Sequence, residues 1–195
     1  MNRIEKNKYA STIMNCTDSP PGITTMNNEA DTNADTCCLD SNFVVLLYTS
    51  TTVDVYPYNK SYEPIRSVPI VSGATVYHHP YIGRSCILIV NEALYYGPRL
   101  NHSLINPNQV RHNGNGFWDN PFDHTHDLSI ELHEYNMVLP LEYKGTILIF
   151  NTSTPTEHEL NTLPHMVLTS EAPWNPGKVV IGAMKTKHDE LDSIK

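Results

Sequence analysis

The chain has 195 residues, a net charge of −8 at pH 7, a hydrophobic fraction of 39% and four cysteines. That length buries one sizeable core, and the acidic balance argues against sequence-independent nucleic-acid binding, which sets Lys and Arg against phosphate. No run of about 18 apolar residues exists, so no membrane span is expected.

Residues 1 to 28 are rich in Asn, Thr, Ser and Pro, carry Pro20-Pro21-Gly22 and lack apolar periodicity; they are expected to be disordered. Arg3, Lys6 and Lys8 have no apolar segment behind them, so no secretory signal is read there. Cys16, Cys37, Cys38 and Cys86 fit neither a disulfide framework nor a zinc spacing, and reduced thiols in an intracellular, cytoplasmic chain are the expectation.

The stretch Ala30-Asp31-Thr32-Asn33-Ala34-Asp35-Thr36-Cys37-Cys38-Leu39 sets an acid beside a hydroxyl among small residues, just before the apolar run Phe43 to Tyr48. A carboxylate that must activate water needs a neighbour to fix its rotamer and compact backbone around it. A polar turn before a strand is the plain alternative. Beyond it the chain is strand-rich. Phe43 to Tyr48 is a short apolar run, and Val53 to Tyr56 alternates as a half-buried strand does. Pro57, Pro64 and Pro69 punctuate two short strands, one of them Val68 to Val71. Gly73 and Gly83 bracket a hairpin arm, Ala74 to His79. Cys86 to Val90 is the strongest strand signal, and Ala93 to Tyr96 extends or follows it.

A helix is well marked next. Asn106 caps it, Pro107 suits its first position, Gln109 stands three residues after the cap, and Gly114 closes it. Strands resume at Leu128 to His133, Met137 to Tyr143 and Ile147 to Phe150. Thr154, Pro155 and Glu157 signal a second short helix, Met166 to Thr169 a last strand, and the chain turns polar beyond Pro176. Short strands with two short capped helices predict an all-β barrel or sandwich.

Ala30 to Leu39 resembles the active-site loop of retropepsin-like aspartic proteases. The block Ile87 to Tyr96, followed by Asn101 to Val110, is similar to the second conserved region of the protease segment in copia-type retrotransposon polyproteins. There a Leu-Tyr strand is followed by a turn and a short helix containing Gln. Val68 to Val71, Pro155 to Leu163 and Pro173-Trp174-Asn175-Pro176 look similar to the same proteins, so the resemblance covers residues 29 to 177. It implies an all-β, retropepsin-like barrel that acts as an aspartic endopeptidase on a polyprotein, as a homodimer and without cofactor. Asp31 of each copy would meet its twin and share a proton with it, one carboxylate acting as base on water and the other as acid. Thr32 would brace the loop, Ala34 would keep it compact, and Asp35 and Thr36 would be structural or substrate-contacting neighbours. Residues 68 to 83 would supply a flap.

Asn33 stands where the family has Gly. Gly there accepts positive φ and leaves room for water or substrate; Asn is the side chain that best tolerates such angles, but its amide would project near the carboxylates. Two readings follow: a working peptidase, or a degenerate copy of the domain that serves as a structural or self-associating module.

Asp119, Asp123, His124, His126, Asp127 and His133 form an acidic, His-rich stretch that resembles a divalent-metal site. A solvated loop is the favoured reading, because no ligand group recurs at a zinc-like spacing. Cys37 reads as a small packing residue rather than a nucleophile. His78, His79 and His102 read as surface residues, and Trp118, Trp174, Tyr95 and Tyr96 as core or interface aromatics.

Overall fold

In the computed structural model, which describes residues 26–57, 59 and 61–179, the apolar runs become twelve strands. β1 (Met26–Ala30), β2 (Cys38–Asp40), β3 (Val44–Val55), β4 (Ile65–His78), β5 (Ser85–Gly97) and β6 (Ser103–Ile105) precede helix α1 (Pro107–His112). Then come β7 (Gly116–Trp118), β8 (Ser129–Leu132), β9 (Met137–Pro140), β10 (Glu142–Lys144), β11 (Ile147–Thr152), helix α2 (Glu157–Thr162) and β12 (His165–Val167). The expected mainly β class holds. The disorder expected for residues 1 to 28 and 178 to 195, and Cys16, fall largely outside the described residues. β1, however, starts at Met26, and Asn28 is fully buried in it.

Nine strands form one sheet in the order β10-β11-β1-β6-β2-β5-β4-β3, with β12 joined to β5. The sheet is open and the expected barrel is not closed: among the described residues no pairing joins β10 to β3. Closure needs a continuous ladder at the seam. β10 offers only three residues, and β3 shifts register against β4 at three places. A second sheet, β7-β8-β9, lays Phe117, Ile130, Leu132 and Leu139 onto the same core as Leu39, Phe43, Val71, Leu88 and Val90 of the large sheet. Ala74, Val76 and Ile87 pack instead against Leu160 and Leu163 at the α2 end of the chain, so the middle of β4 and β5 is covered on both faces.

Pro69 does not end a strand. It pairs with Thr52 of β3, while the ladder between β4 and β5 begins only at Ile70, so its missing N–H is asked for on one side at most. Gly73 lies where β4 passes over β2: a Cβ there would stand 2.6 Å from Leu39 Cδ1. These contacts overturn the placement of a flap at residues 68 to 83. Val68, Val71, Ala74, Thr75 and Val76 are wholly buried, and a core strand cannot lift away. The exposed parts of these hairpins are their turns: Tyr81 and Ile82 between β4 and β5, and Tyr56 and Tyr62 between β3 and β4.

α1 forms as the sequence predicts, with the Asn106 side chain accepting from Gln109 N–H at 2.9 Å and Gly114 following at φ +80°. α2 starts two residues later than expected. Thr156, not Thr154, is its cap, and Glu159 completes a capping box by accepting from Thr156 N–H at 2.8 Å.

Candidate active site

The loop bearing Asp31 is positioned by strand order. β1 runs parallel to β6, with Ala30 opposite Ile105, and β2 flanks β6 on its other side. Residues 31 to 37 therefore cross the end of β6, where α1 begins. The Asp31 N–H donates to Ile105 O at 3.1 Å. From the start of α1, the Asn106 amide donates to Ala34 O, Gln109 Oε1 accepts the Cys37 N–H at 2.9 Å, and the Asn106 N–H donates to Cys37 Sγ at 3.2 Å. Gln109 is itself held by a bulge in β5. Between Val71 and Gly73 of β4, β5 advances from Ala93 to Val90, which leaves Asn91 and Glu92 facing one residue. Gln109 Nε2 donates to both carbonyls freed there, Asn91 O at 3.2 Å and Glu92 O at 3.1 Å. Glu92 has φ +52°, a left-handed conformation uncommon for a non-glycine residue.

Asp31 itself is half-buried, and Thr32 and Asn33 beside it are exposed. Its Oδ1 accepts the Asn33 N–H at 2.8 Å, which makes the loop an Asx-type turn. Among the described residues no basic side chain pairs with it. It lines an open cleft of about 340 Å³ with Glu29, Asn33, Asp119 and Tyr143. The cleft's other two carboxylates are engaged: Glu29 with His102 at 2.7 Å and Asp119 with Arg111 at 2.8 Å. Among the described carboxylates of the cleft, Asp31 is the one outside an ion pair.

Two details of the loop differ from expectation. The positive-φ residues other than glycine among those described are Ser67, Glu92 and Asn136, so Asn33 fits without a left-handed backbone. Its amide thus replaces Gly at no cost in backbone strain. Thr32 makes none of the described hydrogen bonds, and the bracing expected of its hydroxyl comes from Asn106, Gln109 and Cys37. Ala34, half-buried, contributes its carbonyl as the point of attachment.

Burial pushes the Cys37 thiol up to about 12, and the same cause, aided by the nearby charge of Asp31, pushes Cys38 up to about 12. Both thiols are free, as is Cys86. A neutral, enclosed thiol is a packing group and weak acceptor, the role read for Cys37.

The acidic, His-rich stretch takes a different form. His126 stacks on Trp118 at 3.5 Å, Asp123 accepts from the Thr125 N–H at 2.9 Å, and His133 stands 4.0 Å from Glu131. Among the described residues no group of three His, Cys, Asp or Glu is placed to hold a metal ion.

Sequence reasoning found Asp31, Asn106 and Gln109 but missed what joins them. The signal was present in Asn91-Glu92, two polar residues interrupting the apolar run from Cys86 to Tyr96, which is how a bulge reads in a strand. No family model, curated protein or solved structure matches the chain. No helix among the described residues is long and apolar enough to cross a membrane.

Proposed function

We propose that the chain is a retropepsin-like aspartic endopeptidase domain that processes a retrotransposon polyprotein as a homodimer. The observation that carries the reading is Asp31: an acid with no counter-ion among the described residues, open to a cleft, on a loop tied to the core at Ala34 and Cys37. Catalytic groups need that combination of exposure and fixed geometry. A water-activating dyad needs a second carboxylate; among the described residues of the cleft Glu29 and Asp119 are both in ion pairs, which supports a second copy of Asp31 as its source. Two Asp31 carboxylates brought together share one proton. The ionised one takes a proton from water as the water attacks the peptide carbonyl, and the protonated one donates to the carbonyl oxygen. The need for one shared proton predicts an acidic optimum.

One observation favours the alternative, a degenerate domain serving as a self-associating or structural module. The Asn33 N–H already occupies Asp31 Oδ1, and an Asx turn alone gives Asp31 a structural use. Incubation of purified protein with a polyprotein-derived peptide separates the two. The endopeptidase reading expects cleavage that pepstatin blocks, that depends on protein concentration as a dimer requires, and that rises in Asn33→Gly. Absence of cleavage by both proteins from pH 4 to pH 7 would leave the module reading.

A further inference from the structure

The segment that follows β12 returns to the Asp31 loop. Trp174 donates its indole Nε1–H to Asp35 O at 2.9 Å, although 139 residues separate them. Its backbone N–H donates to Glu92 Oε2 at 3.2 Å, and its ring meets His112 of α1 edge-on at 5.4 Å. The residues before it are anchored to the same β5 bulge. Thr169 Oγ1 accepts the Asn91 N–H at 2.7 Å and donates to Asn91 O at 2.8 Å, while the Asn91 amide donates to Thr169 O at 2.9 Å. The bulge therefore holds the Asp31 loop twice. It acts from below through Gln109 and from outside through Trp174.

We propose that residues 170–176 form a strap across the Asp31 loop, with Trp174 as a positioning residue for Asp31 and the Asn91–Glu92 bulge as its anchor. Three observations carry this. Trp174 is not enclosed in the core, so its indole contributes through the Asp35 bond and the His112 contact rather than through bulk burial. Glu92 holds φ +52°, a conformation that persists where surrounding contacts over-determine it, and its carboxylate and carbonyl serve the strap and Gln109 respectively. Asp35 accepts the indole bond four residues after Asp31, on the same loop as the Asx turn that sets the carboxylate's direction. The strap makes the site's geometry depend on the C-terminal segment, so a partner or a cleavage event that removes residues 170–176 would loosen the loop without touching the sheet. The effect on turnover rests on the endopeptidase reading; the effect on the loop does not.

The test uses the full chain and Trp174→Phe, which keeps a ring against His112 and removes the N–H donor. Amide hydrogen exchange is followed in residues 31–38 and, as a reference, in β8 and β9, beside kcat and KM for peptide cleavage. The strap predicts exchange in 31–38 faster by about five- to tenfold, the size that one net hydrogen bond sets. It predicts β8 and β9 unchanged, and kcat lowered by a similar factor with KM within about twofold. Unchanged exchange in 31–38, or equal acceleration in β8 and β9, overturns the proposal whatever the activity. So does accelerated loop exchange with wild-type kcat and KM. If the wild-type protein cleaves nothing while exchange changes only in the loop, the strap stands and the catalytic reading of Asp31 is what fails.

Discussion

Two polar stretches, residues 31–37 and 119–127, read much alike in the sequence: acids and hydroxyls among turn formers between strands. Their wiring differs. The first is held by side chains 72 to 139 residues away, from Asn106, Gln109 and Trp174. The second is closed on itself. Asn120 Oδ1 accepts the Phe122 N–H, Asp123 accepts from Thr125 and His126, and His126 lies on Trp118. Its outward tie is the ion pair of Asp119 with Arg111, eight residues back. Local bonds make a turn of fixed shape. Distant bonds fix a turn relative to the rest of the molecule, which a catalytic acid requires. Composition does not separate a candidate site from a loop; the origin of the hydrogen bonds does.

The difference is sharpest at Gln109. Gln109→Ala strands the Cys37 N–H and the Glu92 carbonyl, while Asn91 O keeps its bond from Thr169, and a loss of about 2–4 kcal/mol is expected in urea unfolding. A loss near zero would mean that the loop does not depend on α1. The next effect appears in alkali. The Cys37 thiol lies at about 12 in the folded chain against an ordinary 9.0, so the folded state keeps the proton more tightly than the unfolded state does. Stability from this thiol is full below pH 9 and falls as pH climbs from 9 towards 12, on the order of 1 kcal/mol per pH unit. Urea midpoints compared at pH 7 and pH 10 should show the fall, with a shallower slope in Cys37→Ala. The smallest effect belongs to the other stretch. Hydrogen bonds from Thr125 hold the half-buried Asp123 carboxyl, at the surface, below its usual range, and water replaces those bonds readily. Asp123→Ala is expected to leave both the urea midpoint and loop exchange at 31–38 unchanged. A response there would join the two stretches and break the contrast.

Local chemistry explains which parts were legible. α1 was readable because Asn106, Pro107, Gln109 and Gly114 act within two turns of chain. α2 was misplaced because the sequence holds two overlapping cap patterns, Thr154 with Glu157 and Thr156 with Glu159. A tertiary contact decides between them: the Thr154 hydroxyl is drawn to Asn42 Oδ1 at 3.2 Å, which frees Thr156 to cap. Two pairs of expected short strands proved to be single long ones, β3 and β4, and Ala93 to Tyr96 extends Cys86 to Val90 within β5, because bulges absorb the interruptions that look like breaks. The open sheet and the burial of residues 68 to 77 depend on which strands meet, which no local pattern encodes. Asp31 was found because its neighbours are short and distinctive. Asn91, Thr169 and Trp174 were not, since their roles exist only once β5, β12 and the loop are side by side.

The central claim, that Asp31 is a catalytic acid rather than a turn residue, is tested most directly by Asp31→Asn assayed beside wild type. Peptide cleavage and urea unfolding are measured on the same preparations. The Asn side-chain oxygen still accepts the Asn33 N–H, so the turn survives and the midpoint should stay within about 0.5 kcal/mol of wild type. Cleavage should fall to background, because an amide can neither take a proton from water nor share one with a twin. Full cleavage by Asp31→Asn, or lost cleavage accompanied by a large drop in stability, would contradict the claim.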